Sequence, residues 1–196
     1  MKTIGITGGV GAGKSRVLQY IGENYKAFII FSDNLAKELE MPGGPCYEPI
    51  VSLLGRDILS ENGEINPKAM AGKIFNNGCL LKKVNDIVHP AVKERILYEI
   101  ETKRREGQID YFFVEAALLI ECGYKEILDE IWFVHADAAV RRERLKESRG
   151  YSDEKIDGIL ASQLSDEIFL ENADFVLENG ADFEKTIISI DKRLKV

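Results

Sequence analysis

The segment Gly8-Gly9-Val10-Gly11-Ala12-Gly13-Lys14-Ser15 sets glycines, a lysine and a hydroxyl at the spacing G-x-x-x-x-G-K-[ST], and each residue type has a chemical use there. Glycine backbone can turn its N–H groups inward and approach a polyphosphate closely, while a helix beginning at the end of the segment adds its positive end. Lys14 can reach the β- and γ-phosphates, and the Ser15 hydroxyl can ligate Mg²⁺. Gly9, Val10, Gly11, Ala12, Gly13, Lys14 and Ser15 are therefore expected to bind ATP, with Mg²⁺ as cofactor and Lys14 acting on the transferred phosphoryl group. The glycine spacing fails the dinucleotide pattern G-x-G-x-x-G, and the chain has no Asn-Lys-x-Asp motif for reading guanine. Phosphoryl transfer from ATP to a small molecule is the chemistry that remains. The loop alone does not choose the acceptor, and a nucleoside-monophosphate kinase or a non-catalytic nucleotide binder would share it.

A hydroxyl acceptor must lose its proton as the bond to phosphorus forms, so a carboxylate within reach is useful. Asp33 follows the apolar run Ala27–Phe31 and can serve as that base; alternatively Ser32 or Asp33 caps a helix over residues 34–40. Two basic clusters stand out further on. Lys93, Arg95, Lys103, Arg104 and Arg105 alternate with glutamates and read as a solvated helix face. Arg141, Arg142, Arg144, Lys146 and Arg149 are denser, and could either close over developing phosphoryl charge or form an ordinary charged face.

The elements that must position these groups follow from the pattern of apolar runs. Lys2–Thr7 alternates as a strand, and Val17, Leu18 and Ile21 give the next segment one apolar helical face, so the glycine-rich loop lies between strand and helix. Further short apolar or aromatic runs at 27–31, 111–114, 131–134 and 175–177 predict strands buried on both faces. The fold expected is α/β: a doubly wound, mostly parallel five-stranded sheet forming one domain over 1–196. A helical insertion at about 41–108 interrupts it, with Pro42-Gly43-Gly44-Pro45 as a break, Glu61–Glu64 as a turn and Asn66-Pro67 as a helix start. Insertions of this kind cover the ligand-binding ends of strands. A chain of 196 residues with 45% hydrophobic content can bury a substantial core, and a net charge of −7 disfavours a nucleic-acid surface. No apolar run is long enough for a membrane span, no signal-peptide core precedes the glycines, and Cys46, Cys79 and Cys122 lack disulfide or zinc spacing. A cytoplasmic protein, monomeric or a small homo-oligomer, is expected.

The chain resembles the dephospho-coenzyme A kinases along nearly its whole length. The resemblance is carried by Thr7–Ser15, Ser32-Asp33 with Ala36-Lys37, Pro42–Pro45, His89-Pro90, Glu115–Glu121, Arg144-Leu145, Gly150-Tyr151-Ser152, Gln163, Ala173-Asp174 and Asn179-Gly180. It implies transfer of the ATP γ-phosphoryl group to the ribose 3′-hydroxyl of dephospho-coenzyme A. It also implies that Asp33 is the catalytic carboxylate, that Asp33, Lys37, His89 and Glu121 meet the acceptor, and that a helical lid spans about 137–165 with Arg144 among its catalytic groups. His89 reads equally well as helix-entry packing before a proline. Asn179 falls where the family meets adenine, and a plain turn before a helix near Asp182 fits as well. Three places depart from the family. Glu115 stands where an aspartate is usual, and is expected either in the Mg²⁺ shell or as a helix-start carboxylate. Phe169 takes the place of a lysine. Ser148 takes the place of a second lid arginine, and Arg149 is expected to assume that role if the helix ends at Gly150.

Overall fold

The computed structural model describes residues 1–75, 77–180 and 182–195. The chain runs β1 (Lys2–Thr7), α1 (Lys14–Asn24), β2 (Ala27–Phe31), α2 (Ser32–Leu39), α3 (Tyr47–Leu54), α4 (Pro67–Ile74), α5 (Gly78–Glu106) and β3 (Tyr111–Glu115). It continues through β4 (Glu130–His135), α6 (Ala138–Arg149), α7 (Asp153–Ala161), α8 (Asp166–Asn172), β5 (Phe175–Glu178) and α9 (Phe183–Leu194). The strands form one sheet in the order β2-β3-β1-β4-β5, with β1 parallel to β3 and β4, and β4 parallel to β5. The doubly wound α/β arrangement is the one expected. Two compact units make up the chain, Met1–Ile29 with Lys103–Val196, and Ile30–Thr102.

In the first unit the sheet is apolar on both faces, which is why its strands read as continuous hydrophobic runs. Side chains alternate along each strand, and the register aligns Ile4 with Phe113 and Ile6 with Trp132. On that face the Phe113 and Trp132 rings meet edge-on at 5.8 Å and Trp132 meets Phe175 at 4.9 Å. On the other face Phe133 stacks on Phe169 of α8 at 4.9 Å. Phe169, at the place of the family's lysine, is thus a core residue that holds α8 to the sheet. Glu115, expected just beyond β3, is its last residue, because the ladder with β1 extends to an Ile6–Glu115 pair.

Beyond the end of β2 the second unit is helical, with an isolated Leu59–Ile65 bridge closing the Glu61–Glu64 turn. Asn66 caps α4 by accepting from the amides of Lys68 and Ala69, with Pro67 at the first helical position. Val84, Val88, Val92, Ile96 and Ile100 form a buried stripe at every fourth residue of α5. Pro90 lies inside that helix. His89 therefore sits in mid-helix, half-buried, and the helix-entry expectation is corrected: a long apolar stripe on both sides carries the helix through the proline.

The C-terminal helix α9 is tied to the first unit by Asp191, whose carboxylate accepts from Lys195 Nζ (2.8 Å), Tyr25 Oη (2.6 Å) and Tyr20 Oη (2.7 Å). These donors, Lys195 first, hold the Asp191 carboxyl down from its ordinary 3.8 to about 2. A carboxyl lowered on folding stabilises the fold above its ordinary pKa, and that stabilisation is lost as pH falls through the folded value. Asp191→Asn is accordingly expected to lower Tm by about 3–8 °C at pH 7, with the deficit shrinking towards pH 2. Thermal melts across pH 2–7 check this, and a deficit of equal size at both ends would exclude the ionic contribution.

Candidate functional site

The glycine-rich loop emerges from β1 and ends on Gly13, the N-cap of α1, at φ +92°. A Cβ there would lie 2.3 Å from Asn179 Nδ2, so both backbone conformation and space require glycine. No side chain caps α1 and no acidic residue occupies its first turn, which leaves the helix's positive end uncompensated by its own sequence. Ser15 is exposed at this end. Lys14 Nζ donates to the Gly8 carbonyl at 2.8 Å and stands 3.5 Å from Glu115 Oε1. Their side chains are only 12% and 17% exposed, so the sheet delivers a carboxylate from β3 to the loop's lysine. The pair puts one cation and one oxygen donor set at the mouth of an anion cradle.

Asn179, at the end of β5, is 2% exposed. Its Nδ2 donates to the Ala12 carbonyl at 2.7 Å, and its Oδ1 accepts from the Thr186 hydroxyl at 3.2 Å. The side chain is therefore a buried prop beneath the loop rather than part of a plain turn. Asp182 caps α9 immediately after it by accepting from Glu184 N at 3.1 Å. Arg144 joins the same layer: Nη1 donates to Gly11 O (3.4 Å) and Ala12 O (3.3 Å), and Nη2 to Asn179 O (2.7 Å). Gln163 accepts from Val10 N–H at 3.2 Å.

The segment expected to form a lid is a pair of helices, α6 and α7, turned at Gly150 with φ +62°. Arg142 binds the two together through Asp153 (2.8 Å) and Asp157, and Lys146 also reaches Asp153 at 2.7 Å. Arg149 is the last residue of α6, as the expected stop at Gly150 requires. It is exposed, with its guanidinium 5.8 Å from the Tyr151 ring centroid, and Lys155 lies over the same ring at 3.6 Å. Ser148 spends its hydroxyl on the Arg144 carbonyl at 2.6 Å.

The model of the dephospho-CoA kinase family matches residues 2–185. The chain belongs to that family. Among curated relatives, the dephospho-CoA kinase of Streptococcus mutans is 32% identical over 99% of this chain and 96% of its own length. That of Moorella thermoacetica is 34% identical, over 97% and 89%. Among solved structures, the Thermus thermophilus protein TT1252 superposes with a TM-score of 0.82 at 26% identity, covering 99% of this chain and 96% of that one.

Family membership bears on the residues expected at the acceptor. Asp33 lies in the first turn of α2, whose N-cap is Phe31 with no side-chain cap bond, so the capping alternative for Ser32 or Asp33 does not hold. The helix starts two residues earlier than expected, which leaves the Asp33 carboxylate exposed on its first turn. Lys37 is exposed one turn on and lies beside Glu40, whose carboxyl is pushed up by burial and drawn back by Lys37. Glu121 is exposed in the turns that follow β3. The helical unit also holds a groove of about 410 Å³ lined by Leu39, Pro45, Ala91, Glu94, Arg95 and Tyr98, none of which was singled out for the acceptor. Two supports of the dephospho-CoA kinase loop were not foreseen as such, Thr186 behind Asn179 and the buried Arg141; neither sits in a motif, and only burial distinguishes them.

Removing the Asn179 carboxamide takes the shorter of two bonds from the Ala12 carbonyl, leaving Arg144 Nη1 at 3.3 Å, while the Thr186 hydroxyl keeps the Glu178 carbonyl at 2.9 Å; with the buried space left behind, the cost is about 1–2 kcal/mol. Asn179→Ala is expected to lower Tm by about 3–8 °C and to raise KM for ATP, measured by melting and by initial rates. Unchanged KM with a lower Tm would confine Asn179 to the fold.

Proposed function

We propose that this chain transfers the γ-phosphoryl group of ATP to the ribose 3′-hydroxyl of dephospho-coenzyme A, releasing coenzyme A and ADP in the last step of coenzyme A synthesis. The observation that carries this reading is the glycine cradle with Lys14 and Glu115 at its mouth, in a chain of the dephospho-CoA kinase family. Loop amides and the positive end of α1 receive the phosphates, Lys14 follows the transferring group, and Arg144 keeps the loop in register through its carbonyls. Asp33, exposed directly after β2, takes the proton from the 3′-hydroxyl as its oxygen bonds to phosphorus and ADP leaves. Lys37, His89 and Glu121 serve the acceptor, and Arg149 carries the lid's exposed positive charge.

The donor set suits Mg²⁺. Ser15 Oγ and the Glu115 carboxylate are hard oxygen donors, and no group of three or more His, Cys, Asp or Glu among the described residues forms a cage of its own. An ion bound chiefly through nucleotide phosphates and water needs only one or two such protein oxygens. Mg²⁺ bound there supplies charge neutralisation on the β- and γ-phosphates. No described helix is long and apolar enough to cross a membrane, and soluble substrates fit a cytoplasmic enzyme without nucleic-acid partners, monomeric or a small homo-oligomer.

Incubation with Mg-ATP and dephospho-coenzyme A should yield ADP and coenzyme A, identified by mass; ATP binding without that product overturns the acceptor assignment. Lys14→Ala should reduce kcat about a hundredfold or more. Asp33→Asn keeps the shape of the side chain without its basicity, and should reduce kcat by about a hundredfold to ten-thousandfold with Tm unchanged, since no cap bond is lost. A near-normal rate in Asp33→Asn would remove it as the base.

A further inference from the structure

Arg141, in the first turns of α6, is 9% exposed, and charges buried to that extent are ordinarily paired. Its approach to a carboxylate is loose. Nη2 lies 3.8 Å from Asp166 Oδ1, beyond hydrogen-bond reach, while the other Asp166 oxygen faces His135 Nε2 at 3.6 Å. Arg141 Nε is buried without any hydrogen-bond partner.

What the guanidinium does touch is the glycine loop. A Cβ built on Gly9 would stand 1.7 Å from Nη1 and 2.9 Å from Cζ, so the guanidinium rests on the Gly9 Cα, in space that any other residue would fill. The Arg141 backbone also crosses the next glycine, since a Cβ on Gly11 would meet its carbonyl oxygen at 2.9 Å. Gln163 completes the grip: its Oε1 lies 3.2 Å from the same Gly9 Cβ point and accepts from Val10 N–H.

We propose that Arg141 is a positioning residue for the phosphate loop, acting through Gly9 and Val10 to hold the first half of the loop in the shape that receives ATP, with its buried charge set beside the incoming phosphates. The role rests on the reading of Gly8–Ser15 as the ATP site. A loop of glycines has no side chains to stiffen it, so a rigid planar group packed against it reduces the ordering that binding would otherwise require. The charge adds attraction for an anion in a site where water is scarce.

The test is calorimetric titration of the full-length protein with Mg-ATP in the absence of acceptor. Arg141→Ala should raise Kd about tenfold or more, with KM for dephospho-coenzyme A unchanged at saturating ATP. Gly9→Ala must displace the guanidinium and should weaken ATP binding more strongly, by about a hundredfold; in an Arg141→Ala background the same methyl loses its two closest contacts and meets Gln163 Oε1 at 3.2 Å, and much of the loss should be regained. A role in stability alone would lower Tm and leave Kd in place. The proposal is overturned by wild-type Kd in Arg141→Ala, or by equal damage from Gly9→Ala in both backgrounds. Should Arg141→Ala fail to fold, Arg141→Gln removes the charge while keeping much of the length, and a wild-type Kd there overturns the proposal as well. Wild-type protein that binds Mg-ATP without phosphorylating dephospho-coenzyme A refutes the acceptor assignment and leaves the Arg141 result readable; wild-type protein that binds no ATP overturns both.

Discussion

The loop between β1 and α1 contains so little side chain that its shape has to be imposed from outside, and the architecture around it answers that constraint. Gly13 adopts a left-handed conformation and has no room for a Cβ because the Asn179 carboxamide presses against it. Asn179 is held in turn by Thr186 on α9, and it holds the Ala12 carbonyl. Backbone groups on the outer side of the loop are thereby satisfied by buried partners, which leaves the N-terminal end of α1 to face an anion. The aromatic row through Phe113, Trp132 and Phe175 fixes β3, β4 and β5 about β1, and so fixes the strand ends from which Glu115 and Asn179 are delivered.

Charge is placed with the same economy. Lys14 is compensated by Glu115 from a neighbouring strand and by the Gly8 carbonyl, an arrangement that orients the ammonium across the loop. Arg144 uses its fork on three carbonyls, Gly11, Ala12 and Asn179, and ties α6 to the loop and to the end of β5. Arg142 and Lys146 are absorbed by acidic residues of α7 while Arg144 reaches the loop, so the crowded cations of α6 have different partners. A helix that looks uniformly basic in one dimension has separate tasks on its different faces.

Much of the site was legible because its chemistry is local. Gly8 to Ser15 are contiguous, and their spacing already dictates a strand, a tight anion-binding loop and a helix. The Asn66-Pro67 start of α4 and the stop of α6 at Gly150 were equally readable, since caps and left-handed glycines act within a few residues of themselves. The misreadings fall at helix starts. Asp33 was a plausible cap until the backbone showed α2 beginning at Ser32, and Pro90 looked like a helix start until the stripe from Val84 to Ile100 carried α5 through it. At Pro90 tertiary burial outweighed a local signal, while at Asp33 the backbone simply turns helical two residues sooner.

The sequence by itself determined the phosphate loop, the alternation of buried strands with helices, and the family whose motifs lie in order along the chain. Only the tertiary structure decided which polar side chains hold that loop. Asn179 and Arg144 reach Ala12 across separations of more than a hundred residues, and Arg141 meets Gly9 from a position no motif marks. The reason is physical: a motif records what neighbouring residues can do together, whereas the partner of a buried carbonyl or guanidinium is chosen by where parallel strands and crossing helices bring it, and nothing local encodes that choice.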